Sequence, residues 1–293
     1  GRAAAPAAAA APSLRQRARE LGAELCGHDD VGRTYQGLDE LWLVQGQQRD
    51  KFYSVNEAWW VEGYEGRATA EGSMIGDDSS EEDLAHSRAF LARALRDLGP
   101  RAVRAALDCG AGLGRVARGL LLPVAGRVTL VEQSLKWSKK AKTYVGDAAG
   151  RCSFVRASLQ DYMPTEAEFD LIWVQWVLQY LIDEDVVHLL SRLCVGLAAG
   201  GIVVLKENRP MAKGSEDRFQ MDTPGGEGRF DIVRPEAHLA LLVELAGLRV
   251  VRLEHWDECS CWVLQAPSPH GGGGGERGGC GERGGCGERG GCG

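Results

Sequence analysis

The sequence predicts an α/β fold built on a mostly parallel, doubly wound sheet. Three observations carry this. Strand-length apolar runs alternate with helical patterns from residue 103 to residue 265. The runs are near-continuous in Val, Ile, Leu and Trp, as in a sheet covered on both faces. The first run ends in a Gly-x-Gly-x-Gly turn, Leu107-Asp108-Cys109-Gly110-Ala111-Gly112-Leu113-Gly114-Arg115, with an apolar helical stretch, Val116 to Val124, behind it.

The chain has 293 residues and a net charge of −7, which argues against affinity for a phosphate backbone. Its apolar runs stay short of membrane-spanning length. Neither nucleic acid nor a membrane is therefore an expected partner, and a monomer is expected. Residues 1–50 read as an N-terminal extension, partly disordered, with a start rich in Ala, Pro and Arg. An organelle transit segment has the same composition, and a disordered extension is the favoured reading. Residues 51–266 form the folded domain, with a helical cover at 51–98, and the Gly/Cys repeat of 267–293 reads as a disordered tail. Cys26, Cys109, Cys152 and Cys194 sit singly among apolar or small residues, as reduced thiols do, so residence in the cytoplasm or nucleus is expected. Cys259 and Cys261 are read as pointing to opposite faces of one strand, and no metal site is expected.

Within the cover, residues 51–62 place Phe52, Val55 and Trp59 on one helical face and Tyr53, Asn56 and Trp60 on the next. Either both tryptophans are core aromatics of a docking helix, or one packs inward while the other faces a cleft. Residues 63–79 read as a Gly- and Asp-rich loop or lid, and 81–98 as an amphipathic helix. The strands that follow the first are 127–131, 152–156, 169–174 and 202–205, with helices at 135–145 and 184–197. Gly200-Gly201 reads as a helix C-cap signal, and 209–231 as a long loop. A helix at 235–246 and strands at 249–255 and 261–265 close the domain. Right-handed crossovers bring the carboxyl ends of the parallel strands to one edge, where a ligand crevice belongs.

The residues at that edge suggest the ligand. Gly110 and Gly112 let a ligand approach the backbone, although a purely structural turn uses the same glycines. The third glycine comes one residue too early for a dinucleotide turn, and there is no phosphate lysine. That suits a nucleoside without pyrophosphate, such as S-adenosyl-L-methionine. Glu132 ends the second strand, where a carboxylate accepts from ribose hydroxyls. Leu159 and Gln160 either flank an adenine or open an exposed helix; Arg115 either meets a ligand carboxylate or is a solvated arginine.

LDCGAGLGRV at 107–116, LLLP at 120–123, KTY at 142–144, SLQDY at 158–162, FDLIWVQWV at 169–177 and LKEN at 205–208 together resemble the protein α-N-terminal methyltransferase family. The resemblance spans about residues 51–265. It implies a Rossmann-like, seven-stranded class I methyltransferase sheet with the last strand antiparallel. It also implies methyl transfer from S-adenosyl-L-methionine to the α-amine of proteins that begin X-Pro-Lys or X-Pro-Arg. Gly110, Gly112, Arg115, Glu132, Leu159, Gln160 and Gln175 then match cofactor positions. Trp60 and Trp176 match the tryptophans that bracket the substrate, Asn208 the residue that holds the peptide terminus, and Asp222 the catalytic carboxylate. The family's histidine after the IWxQW segment is Tyr180 here, so Asp222 is expected as base and Tyr180 as a positioning group. The lid glycines are replaced by Gly76-Asp77-Asp78-Ser79, and a substrate-contacting tyrosine by Cys259. These departures keep open a methyltransferase of small amines or metabolites, or a cofactor-binding paralogue with little turnover.

Overall fold

The computed structural model describes residues 11–44, 49–62, 80–99, 101–211, 214 and 216–267. Residues 63–79, read as a loop or lid, and the Gly/Cys repeat therefore lie outside the described residues. A seven-stranded sheet forms the centre. Its strands are β3 (Val103–Cys109), β4 (Ala125–Val131), β5 (Cys152–Val155), β6 (Phe169–Gln175), β7 (Leu197–Asn208), β10 (Arg249–Trp256) and β11 (Cys259–Gln265). Their spatial order is β10-β11-β7-β6-β3-β4-β5. The pairs among β3 to β7 are parallel, while β11 runs antiparallel to both β7 and β10. This is the expected architecture, including the reversed last strand.

Alternation along each strand sorts side chains into two cores. Leu107, Ile172, Val174, Val203, Leu205 and Leu264 face one core, with α6 (Asp183–Gly196) and α7 (Glu236–Leu245) over them. Ala106, Leu171, Trp173, Ile202, Val204 and Val263 face the other, beneath α4 (Ser80–Asp97) and the helical turn after β3. Helix α5 (Leu135–Tyr144) follows β4 and is capped by the Ser134 side chain, which accepts from the Trp137 N–H.

The N-terminal stretch does not stand apart from this unit. Helix α1 (Leu14–Ala23) puts the fully buried Ala18 into the first core. Strands β1 (Gly27–Asp29) and β2 (Thr34–Tyr35) pair with β8 (Phe219–Asp222) and β9 (Asp231–Val233) in a second sheet, ordered β2-β1-β8-β9. The stretch 209–231, read as a loop, thus contains β8 and reaches β9. Helices α2 (Leu38–Val44) and α3 (Arg49–Glu62) close a third core with this sheet, formed by Leu38, Leu41, Phe52, Phe219, Met221, Phe230 and Ile232. Two further sequence readings need correction. Gly200-Gly201 lies inside β7 rather than capping α6, because the chain passes from helix to strand at Leu197. Cys259 and Cys261, two positions apart on β11, share a face and are both buried. No helix among the described residues is long and apolar enough to cross a membrane.

Phe219 is fully buried where the two chain segments of the small sheet meet. Phe219→Ala is expected to cost about 3–5 kcal/mol of stability in urea unfolding. A loss below about 1 kcal/mol would show that the small sheet is not integral to the fold.

Candidate active site

The carboxyl ends of β3, β4 and β6 open on a cleft of about 390 Å³. Gly110 and Gly112 have φ of +67° and +53°, a region that costs L-residues dearly. A Cβ on Gly110 would stand 2.4 Å from Val177 Cγ1, so only glycine leaves this wall open. Asp108 ends β3 and accepts the Ala117 N–H at 3.0 Å, anchoring the helical turn behind the glycines. Burial pushes its carboxyl up to about 7, with Glu132 adding to the rise.

Glu132 stands opposite at the end of β4. Its two oxygens accept the Gly112 N–H at 2.8 Å and the Ser134 N–H at 2.7 Å. The Gln133 N–H also acts on this carboxylate, which with about four acceptor sites still has room to accept from a ribose. Burial raises its pKa, and these backbone bonds oppose the rise. Leu159 and Gln160 line the next wall, and Arg192 holds that loop by donating to the Leu159 carbonyl at 2.7 Å. Trp137 also lines the cleft, and its Nε1 donates to the Trp60 carbonyl at 3.1 Å, joining α5 to α3. The sequence reading missed Trp137, although Ser134 three positions before it is a cap signal at the start of a helix.

Helix α3 roofs the cleft with Tyr53, Asn56 and Trp60, the face the helical spacing marked. The other face divides: Phe52 enters the third core, and Trp59 lies over the Arg229 guanidinium at 4.8 Å. So Trp60 faces the cleft while Trp59 packs elsewhere. Trp60 meets Tyr180 edge-on, ring centres 5.4 Å apart. Trp176, at the end of β6, lines the same wall with φ of +53°.

Arg115 and Gln175 line the cleft too, but both are committed to a partner the sequence reading did not single out. Asp83 on α4 takes Arg115 Nη1 at 2.6 Å, Lys206 Nζ at 2.5 Å and Gln175 Nε2 at 3.0 Å. Gln175 Oε1 accepts from Trp173 Nε1 at 2.9 Å, so both ends of its amide are used beneath the cleft. Burial works to raise the Asp83 pKa, yet Arg115 and Lys206 outweigh it and hold the carboxyl below its ordinary value. The signal available in the sequence was Lys206, a lone cation closing an apolar strand.

Asn208 and Asp222 are not among the residues that line the cleft. Asn208 Nδ2 donates to Gln179 Oε1 at 3.2 Å, beside Tyr180. Its Oδ1 accepts from Cys259 Sγ at 3.5 Å. Asp222 accepts from Arg229 Nη2 at 2.9 Å. Burial raises the Asp222 pKa while Arg229 opposes it. The structure therefore gathers Gly110, Gly112, Arg115, Glu132, Leu159, Gln160, Gln175, Trp60, Trp176 and Tyr180 around one hollow, with Asn208 and Asp222 beyond it. Among the described residues there is no cluster able to hold a metal ion.

A sequence model described as AdoMet dependent proline di-methyltransferase matches residues 48–259, which takes in the whole cleft. The chain belongs to that family. It is an S-adenosyl-L-methionine-dependent methyltransferase. Similar relatives include N-terminal Xaa-Pro-Lys N-methyltransferase 1 of Bos taurus, 38% identical over 165 residues, 55% of this chain and 73% of that one. N-terminal Xaa-Pro-Lys N-methyltransferase 1-B of Xenopus laevis is 33% identical over 211 residues, 71% of this chain and 89% of that one. A solved SAM-dependent methyltransferase from Leishmania major superposes with a TM-score of 0.69 at 27% identity, covering 82% of this chain and 96% of that one.

The cleft of this methyltransferase fits the cofactor. The wall that a Cβ at Gly110 would fill stays open for it, and Glu132, Leu159 and Gln160 on the lining are the residues that would hold its ribose and base. Glu132→Ala is expected to raise the cofactor Kd at least about tenfold by calorimetry, because the ribose loses its acceptor and two backbone N–H groups are left unpaired. An unchanged Kd would remove Glu132 from the site. Asp83→Ala strands the buried charges of Lys206 and Arg115 and is expected to cost about 3–5 kcal/mol in urea unfolding. A loss under about 1 kcal/mol would show that water relieves them.

Proposed function

We propose that this methyltransferase acts on the α-amino group of proteins or peptides that begin X-Pro-Lys or X-Pro-Arg. The observation that carries the proposal is the mouth of the cleft. Trp60, Trp176 and Tyr180 line the cleft as an aromatic collar, and Asp222 lies outside that lining, paired with Arg229. That combination suits a short, cationic peptide end better than a neutral metabolite. The names of the Bos taurus and Xenopus laevis relatives support the same substrate.

An α-amine titrates near 7.7–8.0, so at neutral pH about a tenth to a sixth already carries a free lone pair. The protein has to hold the cation, let one proton leave and keep the nitrogen in line. Bound in the cleft, the cofactor supplies an electrophilic methyl group on a sulfonium. Asp222, paired with Arg229, draws the ammonium to the mouth. Asn208 holds the peptide end, and Trp60 and Trp176 bracket its first residues. Tyr180 positions the amine; burial drives its phenol well above the ordinary value, so it does not act as a base by itself. Much of the rate then comes from alignment. The proposal includes a monomer working in the cytoplasm or nucleus, a setting suited to six described cysteines that are all free.

The Tyr180 replacement favours one rival reading, a paralogue that binds cofactor with little turnover. Incubating the protein with cofactor and Ser-Pro-Lys or Pro-Pro-Lys peptides, then weighing the peptides, separates the two. The proposal expects added methyl groups on the α-amine of both. Asp222→Asn is expected to raise the peptide KM about tenfold while kcat moves less, as loss of a charge that serves binding does. Cofactor binding without methylated peptide would support the rival, and turnover confined to small amines would replace the substrate assignment.

A further inference from the structure

Two aromatic residues of the collar stand on a turn held by buried groups that the proposed reaction leaves unused. Trp176, Val177 and Tyr180 all lie between β6 and α6, and all three line the cleft. Trp176 has φ of +53°, a conformation costly for a bulky L-residue, which lasts only where its surroundings impose it. Two side chains impose it from behind. At the start of the turn, Glu207 of β7 accepts the Val177 N–H at 3.1 Å and the Leu178 N–H at 3.0 Å, both on Oε1. The Lys206 carbonyl beside it accepts the Trp176 N–H at 3.0 Å. At the end of the turn, Arg234, just after β9, donates Nη1 to the Leu178 carbonyl at 2.9 Å and Nη2 to the Leu181 carbonyl at 2.5 Å. Its Nε donates to Asp183 Oδ1 at 2.7 Å, and Asp183 Oδ2 meets His238 Nε2 of α7 at 2.6 Å. Glu207, Arg234, Asp183 and His238 are each at most 5% exposed, and none of them lines the cleft.

We propose that Glu207 and Arg234 form a two-ended clamp that aligns the peptide end by fixing the turn that presents Trp176 and Tyr180. The inference rests on the peptide-amine reading above. Both are positioning residues: they act through the turn and touch neither peptide nor cofactor.

The chemistry of each end suits a fixed frame. Arg234 commits all three side-chain nitrogens to acceptors, in a planar fork that the single ammonium of a lysine does not reproduce. Asp183 balances its charge: burial works to raise the Asp183 pKa, but Arg234 and His238 outweigh it and hold the carboxyl below its ordinary value. Burial pushes the Glu207 carboxyl up to about 8, with the two backbone N–H bonds opposing and the buried Asp231 of β9 adding to the rise. At neutral pH Glu207 is therefore mostly a neutral acid and serves as an oxygen acceptor, which a glutamine also supplies. Glu207 belongs to the central sheet and Arg234 follows the small one, so the turn is fixed where the two sheets approach each other.

The test compares wild type with Arg234→Lys, Glu207→Ala and Glu207→Gln on a Ser-Pro-Lys peptide at pH 7. Cofactor Kd by calorimetry shows that each variant is folded. Arg234→Lys keeps the charge that faces Asp183 and loses the fork, so it carries the test if Glu207→Ala does not fold. Arg234→Lys and Glu207→Ala should each lower kcat/KM for the peptide about a hundredfold, with the cofactor Kd within about threefold of wild type, because the misalignment falls on the peptide. Deuterium uptake over residues 176–181 should rise in both, and uptake over β3 and β4 should not. Glu207→Gln should recover most of the kcat/KM that Glu207→Ala loses. In a Trp176→Ala background the loss from Glu207→Ala should shrink to about tenfold or less, since one of the groups it positions is gone. Wild-type kcat/KM in Arg234→Lys, equal losses in peptide kcat/KM and cofactor affinity, or an undiminished loss in the Trp176→Ala background would overturn the clamp while leaving the peptide function standing. A wild-type protein that methylates no peptide would bring down both.

Discussion

The Asp83 carboxylate is the contact on which the cleft depends. It gathers one side chain from each element that builds the cleft floor: Arg115 after β3, Gln175 at the end of β6 and Lys206 on β7. Lys206 has no exposure at all, and its Nζ also meets Ser87 and lies over the Trp256 ring at 4.1 Å. Two buried cations on one buried anion leave a net positive charge below the cleft floor. That field favours an anionic group above it, and a ligand carboxylate beside Arg115 is the natural recipient. The bond from α4 thus does two things: it ties a helix to three parts of the central sheet, and it biases one end of the hollow towards negative charge.

The opposite wall works by backbone geometry instead. Gly110 and Gly112 both have positive φ, and Glu132 takes the Gly112 N–H and, through Ser134, fixes the start of α5. The Glu132 side chain is therefore oriented before any ligand arrives, so little freedom is lost when hydroxyl groups bind it. Asp108 beneath it is half-protonated near neutral pH, which relieves the repulsion between two acids that share a low-dielectric pocket.

Much of this was legible in the sequence because it is local. The glycine turn, the acid closing β4 and the glutamine and tryptophan closing β6 are each fixed by their own strand, and strand ends share one edge in a parallel sheet. Tyr53, Asn56 and Trp60 were legible for the same reason, as one face of one helix. What escaped is non-local. Strands β1 and β2 are three and two residues long, too short for periodicity to mark, and β1 pairs with a strand near residue 220. Asp231 and Arg229 were hidden by the same cause: the Gly-rich stretch before them reads as loop until its partner strand is known. Asp83 is one of several acids in the first turn of a helix, and only packing distinguishes it from Glu81 and Glu82.

The division between local and non-local follows the division of labour in the site. The cofactor walls belong mainly to the central sheet and its two cores. The collar and the carboxylates behind it come from α3, the turn Leu178–Tyr180, β8 and β9, which meet at the third core around Phe52, Phe219 and Phe230. Phe52 and Phe230 stack at 5.3 Å, so the roof helix and the strand carrying Asp231 share one aromatic contact.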